Sequence, residues 1–237
     1  MTTAAEVREA LVAASDSARA TDHQRFFKTA EGEYGAGDVF VGVTVPAIRT
    51  VVKQSKSLDP AGFDELVNSE VHEFRMAGLL ILVAQYPRAD EAEKARIVER
   101  YLAALKRGRI NNWDLVDCSA EYIVGEHLVN RPRDLLFELA ASDDLWDRRV
   151  AVLSSFAFIK RADATTTLAL AELLIDDKRD LIQKAVGWML REVGKRVDRA
   201  LLVEFLDRHA AQMPRTMLSY AVERLEPETR AHYRGLR

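Results

Sequence analysis

The stretch DLIQKAVGWMLREVGKR, residues 180–196, sets the period on which the whole chain is read. At 100° per residue, Ile182, Ala185, Val186, Met189, Leu190 and Val193 fall on one side, the core face of an amphipathic α-helix. Lys184, Trp188, Arg191 and Lys195 fall within an arc of about 60° on the opposite side. The face that a soluble helix turns to water therefore carries an indole among three cations. Leaving that ring in water forfeits about 2–3 kcal/mol of burial. Two readings stay open. The cations meet phosphates while the ring meets a sugar or base. Alternatively, a neighbouring helix covers Trp188, and the cations are ordinary solvated charges.

Moving outward, apolar residues keep three- and four-residue spacing almost throughout, and no stretch alternates over six residues. The spacing predicts helices near 4–20, 22–30, 46–55, 60–68, 71–85, 90–107, 112–128, 133–141, 144–159, 163–175, 178–195, 198–209, 214–224 and 227–234. The connections are short and carry breakers at Tyr86-Pro87, Gly108, Arg131-Pro132 and Met213-Pro214. Short helices with tight links predict an all-α fold, an α-solenoid of stacked antiparallel helix pairs of HEAT-like or ARM type. One domain over 1–237 is expected, with a long ligand lying along a concave basic face. The irregular stretch EGEYGAGDVFVGVTVP, residues 31–46, holds four glycines. It is either a loop that approaches a ligand closely or a plain connection between helices.

Composition narrows the function classes. Apolar residues make up 48% of 237, enough for a sizeable core, and the scarcity of Gly (11) and Pro (6) argues against an all-β fold and against disorder. Cys118 is the single cysteine, so no intramolecular disulfide can form. The first residues lack the basic start and apolar run of a signal peptide, and no apolar stretch is long enough to span a membrane. A bacterial-type cytoplasm is the expected location. The formal net charge is −3, yet Leu145 to Ala200 carries eleven Lys/Arg against eight Asp/Glu. A basic surface on an acidic body is compatible with DNA, because affinity follows local phosphate neutralisation.

Two further segments carry candidate chemistry. In RINNWDLVDCSAEYIVGEHL, residues 109–128, Asn111 or Asn112 is expected to cap a helix starting at Trp113. Trp113 and Asp117, four apart, share a face and can touch one ligand; otherwise Trp113 is core and Asp117 pairs with a nearby arginine. In SDDLWDRRVAVLSSFAFIK, residues 142–160, the helix is apolar on nearly every side after Arg149. Arg148 and Arg149 stand at its entrance, where they hold phosphates or pair with Asp143 or Asp147. The five histidines show no metal-ligand spacing, Cys118 reads as a small buried side chain, and no phosphate-binding glycine loop precedes a Lys-Ser/Thr pair. No metal or cofactor is expected.

Taken together, NNWDLVDCSA at 111–120, LWDRRVAVL at 145–153 and DLIQKAVGWMLREVGK at 180–195 resemble the AlkD-type DNA alkylation repair family, the HEAT-like-repeat DNA glycosylases. The resemblance runs from about VGVTVPAIR at 41–49 to MPRTMLSYAVE at 213–223. It implies a curved all-α domain whose basic concave face holds double-stranded DNA containing alkylated bases, with no membrane and no obligate protein partner. It also implies an active site in which Trp113, Asp117, Arg149 and Trp188 converge, with Asp117 as the catalytic carboxylate. Lys184, Arg191, Lys195 and Arg148 are secondary DNA-binding candidates. Thr44 falls where a well-known member has a glutamine facing the DNA, so lesion preference can differ. The family is known for leaving the lesion stacked in the duplex. Two rivals belong to other classes: a non-catalytic relative that binds unusual DNA structures, and an α-solenoid scaffold for protein partners.

Overall fold

The computed structural model describes residues 2–236. About 67% of the chain is helical. Among the described residues, extended pairing is confined to a single parallel bridge between Val39 and Val71. The chain divides into two compact units, one ending at Ser119 and the other beginning at Ala120.

The first unit contains α1 (Ala4–Ala13), α2 (Ser17–Phe26), α3 (Val45–Gln54), α4 (Pro60–Val67), α5 (His72–Gln85), α6 (Glu91–Lys106) and α7 (Trp113–Asp117), with a 3-10 turn at Tyr86–Arg88. Local chemistry starts these helices. Thr3 and Glu6 form a reciprocal capping box on α1, and Asp16, Thr44, Asp59 and Asp90 accept first-turn N–H groups of α2, α3, α4 and α6. The helix expected over 4–20 is divided, because Asp16 caps a new start and its N–H donates to the Val41 carbonyl at 3.0 Å. α5 is the central element: it is buried continuously from His72 to Leu82, and α1, α3 and α4 pack on it.

The glycine-rich stretch 31–46 is tied to α5. The Glu73 carboxylate, 2% exposed, accepts the backbone N–H groups of Val41, Gly42 and Val43 at 3.1, 2.8 and 3.2 Å. The Val39 N–H donates to the Glu70 carbonyl, and the His72 N–H donates to the Val39 carbonyl. Gly42 has φ +79°, and a Cβ there would lie 2.0 Å from the Asp16 carbonyl oxygen, so only glycine fits.

The second unit begins with a π-helical turn at Glu121–Gly125. It continues with α8 (Asp134–Ala140), α9 (Leu145–Ser154), α10 (Phe156–Ile159), α11 (Thr165–Leu173), α12 (Asp180–Arg196), α13 (Arg199–His209), α14 (Arg215–Ala221) and α15 (Pro227–Arg234). α12, the helix first read from sequence, is central here. It packs against α9, α11, α13 and α14, and Ile182, Ala185, Val186, Met189, Leu190 and Val193 are all buried. α8 pairs with α9, and α12 with α13, as consecutive helices joined by short links.

The helices expected over 112–128 and 144–159 are each interrupted. In the first, the Ser119 hydroxyl donates to the Leu115 carbonyl at 2.5 Å. In the second, the Ser155 hydroxyl donates to the Val152 carbonyl at 2.7 Å. Hydroxyls that capture carbonyls of the preceding turn compete with the helical ladder and bend it.

Candidate active site

The short helix α7 is set by buried polar groups. Asn112, fully buried, accepts the Trp113 N–H on its Oδ1 at 2.9 Å, which starts the helix where the sequence places it. One residue on, Asp114 Oδ2 lies 2.9 Å from His72 Nε2. The other ring nitrogen of His72 is 3.2 Å from Asp38 Oδ2. Arg75 Nη2 sits 2.7 Å from the same Asp38 oxygen, and Asn111 donates to Asp38 Oδ1 at 2.9 Å.

This cluster ties α7 to the start of α5 and to the 31–46 loop. Burial alone pushes His72 towards neutrality, but Asp114 and Asp38 outweigh it and hold the imidazole above its ordinary 6.5. Burial likewise pushes the Asp38 carboxyl up, and His72, Arg75 and Asn111 together bring it below 3.8. The neighbours thus favour the ionised form of both partners over what burial alone would allow.

Trp113, Asp117 and Thr44 line one pocket of about 590 Å³, entirely within the first unit. Its other walls are aromatic. Trp113 stacks on Phe27 (5.5 Å, 22°), Phe27 on Phe40 (5.0 Å, 12°) and Phe40 on the His72 ring (4.5 Å, 23°). Phe26 meets the indole edge-on at 6.0 Å and is 64% exposed. Trp113 is half-buried, so it is neither sealed in the core nor bare. The sequence reading missed these phenylalanines. Their one signal is two adjacent rings, Phe26 and Phe27, at the end of a helix with no buried residue. Burial pushes the Cys118 thiol up, with Asp114 and Asp117 adding to the effect, so the thiol stays protonated and is a poor nucleophile.

In the second unit, Arg149 is 5% exposed and donates from Nη1 to the Leu181 carbonyl at 2.6 Å, clamping α9 to the first turn of α12. Arg148 pairs with Asp177 at 2.8 Å and donates to the Ser142 carbonyl. The sequence offered Asp143 or Asp147 as its alternative partners, but Asp147 instead accepts from the Ser142 hydroxyl.

Trp188 is half-covered, with Phe156 at 6.2 Å. Of its three companions, Lys184 pairs with Asp180 at 2.6 Å, Arg191 pairs with Glu223, and Lys195 is exposed. The stripe is therefore present but partly neutralised. Next to it lies a patch the sequence did not single out. Lys160 sits over the Phe156 and Tyr122 rings at 5.0 and 5.2 Å, and Arg196 sits over Phe156 at 5.2 Å.

Each unit thus gathers its own share of the candidates. Thr44, Trp113 and Asp117 lie together in the first. Arg148, Arg149, Lys184, Trp188, Arg191 and Lys195 lie on α9 and α12 of the second. Among the described residues, no three His, Cys, Asp or Glu side chains group to hold a metal ion. No helix among them is long and apolar enough to cross a membrane.

The sequence model of the DNA alkylation repair enzymes matches residues 7–225. The chain belongs to the DNA alkylation repair enzyme family. The match takes in both units and every candidate residue above. A solved structure of a predicted DNA alkylation repair enzyme from Enterococcus faecalis superposes with a TM-score of 0.71. It covers 90% of this chain and 97% of its own, at 14% identity. At that identity the likeness is one of fold. No curated protein matches the chain.

Proposed function

We propose that this family member is a DNA glycosylase. On this reading it hydrolyses the N-glycosidic bond of cationic alkylated purines, such as 3-methyladenine and 7-methylguanine, in duplex DNA and so initiates base excision repair. The observation that carries the reading is the presence of Asp117 and Trp113 on one aromatic-walled pocket in a chain of this family.

An N-alkylated purine already bears a positive charge and leaves without being protonated. As the C1′–N bond breaks, its electron pair passes to the base, which departs neutral. The sugar is left as an oxocarbenium-like cation. A carboxylate beside it stabilises that charge and orients water; the water oxygen bonds to C1′, and its proton passes to Asp117 or to solvent. Trp113 and Trp188 contribute cation–π contact worth about 0.5–2 kcal/mol each. Arg149, with Lys184, Arg191, Lys195 and Arg148, supplies positive charge for the phosphate backbone. The ion pairs of Lys184 and Arg191 are partly exposed, so phosphates can compete with Asp180 and Glu223 for them. The reaction is simple hydrolysis, with no covalent lysine intermediate and no strand cleavage.

The test is Asp117→Asn in a base-release assay on DNA carrying 7-methylguanine. A roughly 10²–10³-fold loss of rate is expected, in the range seen when one transition-state charge partner is removed. Release at the wild-type rate removes Asp117 from the mechanism.

A further inference from the structure

We infer that Tyr122, Phe156, Lys160 and Arg196 form a further contact surface for the DNA backbone beside Trp188 and Lys195, in which each cation takes a phosphate and the rings between them cover a deoxyribose. The inference rests on the reading that the Trp188 face meets DNA. It extends that face to four residues that lie outside the three motifs carrying the family resemblance.

Local irregularities bring these residues together. The π-helical turn at Glu121–Gly125 presents Tyr122; such turns are frequent at functional sites. It packs on α10, and Gly125 permits the approach, since a Cβ there would lie 2.3 Å from the Ser154 carbonyl oxygen. The break at Ser155 starts α10, whose helical bonding runs on from Phe156 to Lys160. Those two side chains, four apart, therefore share a face. The last turn of α12 supplies Arg196. Two helix interruptions that packing alone leaves without a purpose thus serve one surface.

Charge on this surface is layered. Lys160 pairs with Glu121, and Arg196 with Glu192 at 2.6 Å. Both carboxylates are 7% exposed, whereas the two cations are 36% and 41% exposed. The acids therefore orient the cations from beneath, and solvent meets the positive layer. Arg196 donates to Glu192 through Nε, and its planar fork has Nη groups to offer a phosphate. The rings are interleaved with these charges. Lys160 lies over Phe156 and Tyr122, Arg196 lies over Phe156, and Phe156 meets Trp188. Tyr122 is left 41% exposed. Cations alternating with open ring faces match a sugar–phosphate strand. An acidic protein tail would meet the cations and leave the rings bare. Contacts of this kind go to the backbone, so they hold DNA with its bases stacked.

The experiment measures binding of the full chain to an undamaged, fluorescein-labelled duplex across a salt series, so it does not depend on hydrolysis. Arg196→Gln should lower the slope of log affinity against log salt by about one. Glu192 keeps Arg191 as a partner in that variant. Glu121→Gln/Lys160→Gln removes a buried carboxylate together with its cation and leaves the net charge unchanged. It too should lower the slope by about one, which separates a phosphate contact from a general change of field. Tyr122→Ala should weaken binding several-fold at every salt with the slope kept, and Lys160→Arg should keep both. In release of 7-methylguanine, the charge variants should raise the half-saturating DNA concentration and leave the maximal rate in place, as loss of uniform binding requires. A wild-type slope in either charge variant overturns the inference, and leaves the glycosylase reading standing where the wild-type protein frees base. Lowered slopes without any base release keep the contact and remove hydrolysis. Binding of polyglutamate in preference to the duplex, lost in the same variants, assigns the surface to an acidic protein and overturns the inference.

Discussion

His72, one of the pocket-lining residues, shows how a single side chain positions its neighbours in a site. It bridges Asp38 and Asp114 from the first turn of α5 and thereby fixes α7, which carries Trp113 and Asp117. Its folded-state pKa lies above 6.5. The protonated ring therefore contributes stability that is complete below pH 6.5 and is lost as the pH rises through that raised value. Asp38 has the opposite sign: its contribution is present above 3.8 and fades as the pH falls through its lowered value. His72→Gln removes the cation shared by the buried Asp38 and the largely buried Asp114, leaving Arg75 and Asn111 on Asp38. It should cost about 3–5 kcal/mol, by chemical denaturation, with the gap from wild type widest between pH 4 and 6.5 and narrowing above. A gap independent of pH would show that His72 is neutral in the fold. At this scale, spacing revealed the pair Trp113 and Asp117 and the cap at Asn112, because these are local relations along one turn. The histidine–carboxylate bridges join residues 34 and 42 positions apart, and the Phe27–Trp113 stack joins residues still more distant. No helical period encodes such contacts.

At the scale of elements, the 31–46 stretch was open between a ligand-approaching loop and a connection. Its backbone is pinned by Glu73, and Thr44 at its end both caps α3 and lines the pocket. Glu73→Gln should destabilise the protein by about 1–3 kcal/mol, because charge-assisted hydrogen bonds to three N–H groups weaken. Gly42→Ala should cost at least as much, through its positive φ and its clash with the Asp16 carbonyl. Thermal unfolding checks both; if neither variant shifts the midpoint, the loop is not held as described. The apolar face of α12 was legible because six buried positions repeat at helical spacing. The helix breaks after Asp117 and at Ser155 were not, since serines that turn their hydroxyls back on the helix look in sequence like any other small polar residue.

For the molecule as a whole, the all-α fold and the family follow from the pervasive three- and four-residue spacing and from three motifs in fixed order, and both were readable from the chain alone. The division at Ser119–Ala120 was not, because the sequence there reads as one continuous helix. Despite the −3 net charge, the basic α12 predicts binding to DNA that weakens with salt. Replacing the exposed Lys195 by Ala should lower the slope of log affinity against log salt by about one, the signature of one lost phosphate contact. An unchanged slope would place DNA elsewhere. The central claim is base excision, and incubating the protein with methylated duplex DNA and identifying what is freed by mass spectrometry tests it most directly. The account predicts free 3-methyladenine and 7-methylguanine with the strands left intact. DNA that is bound tightly but yields no free base, or strands cut without base release, would contradict it.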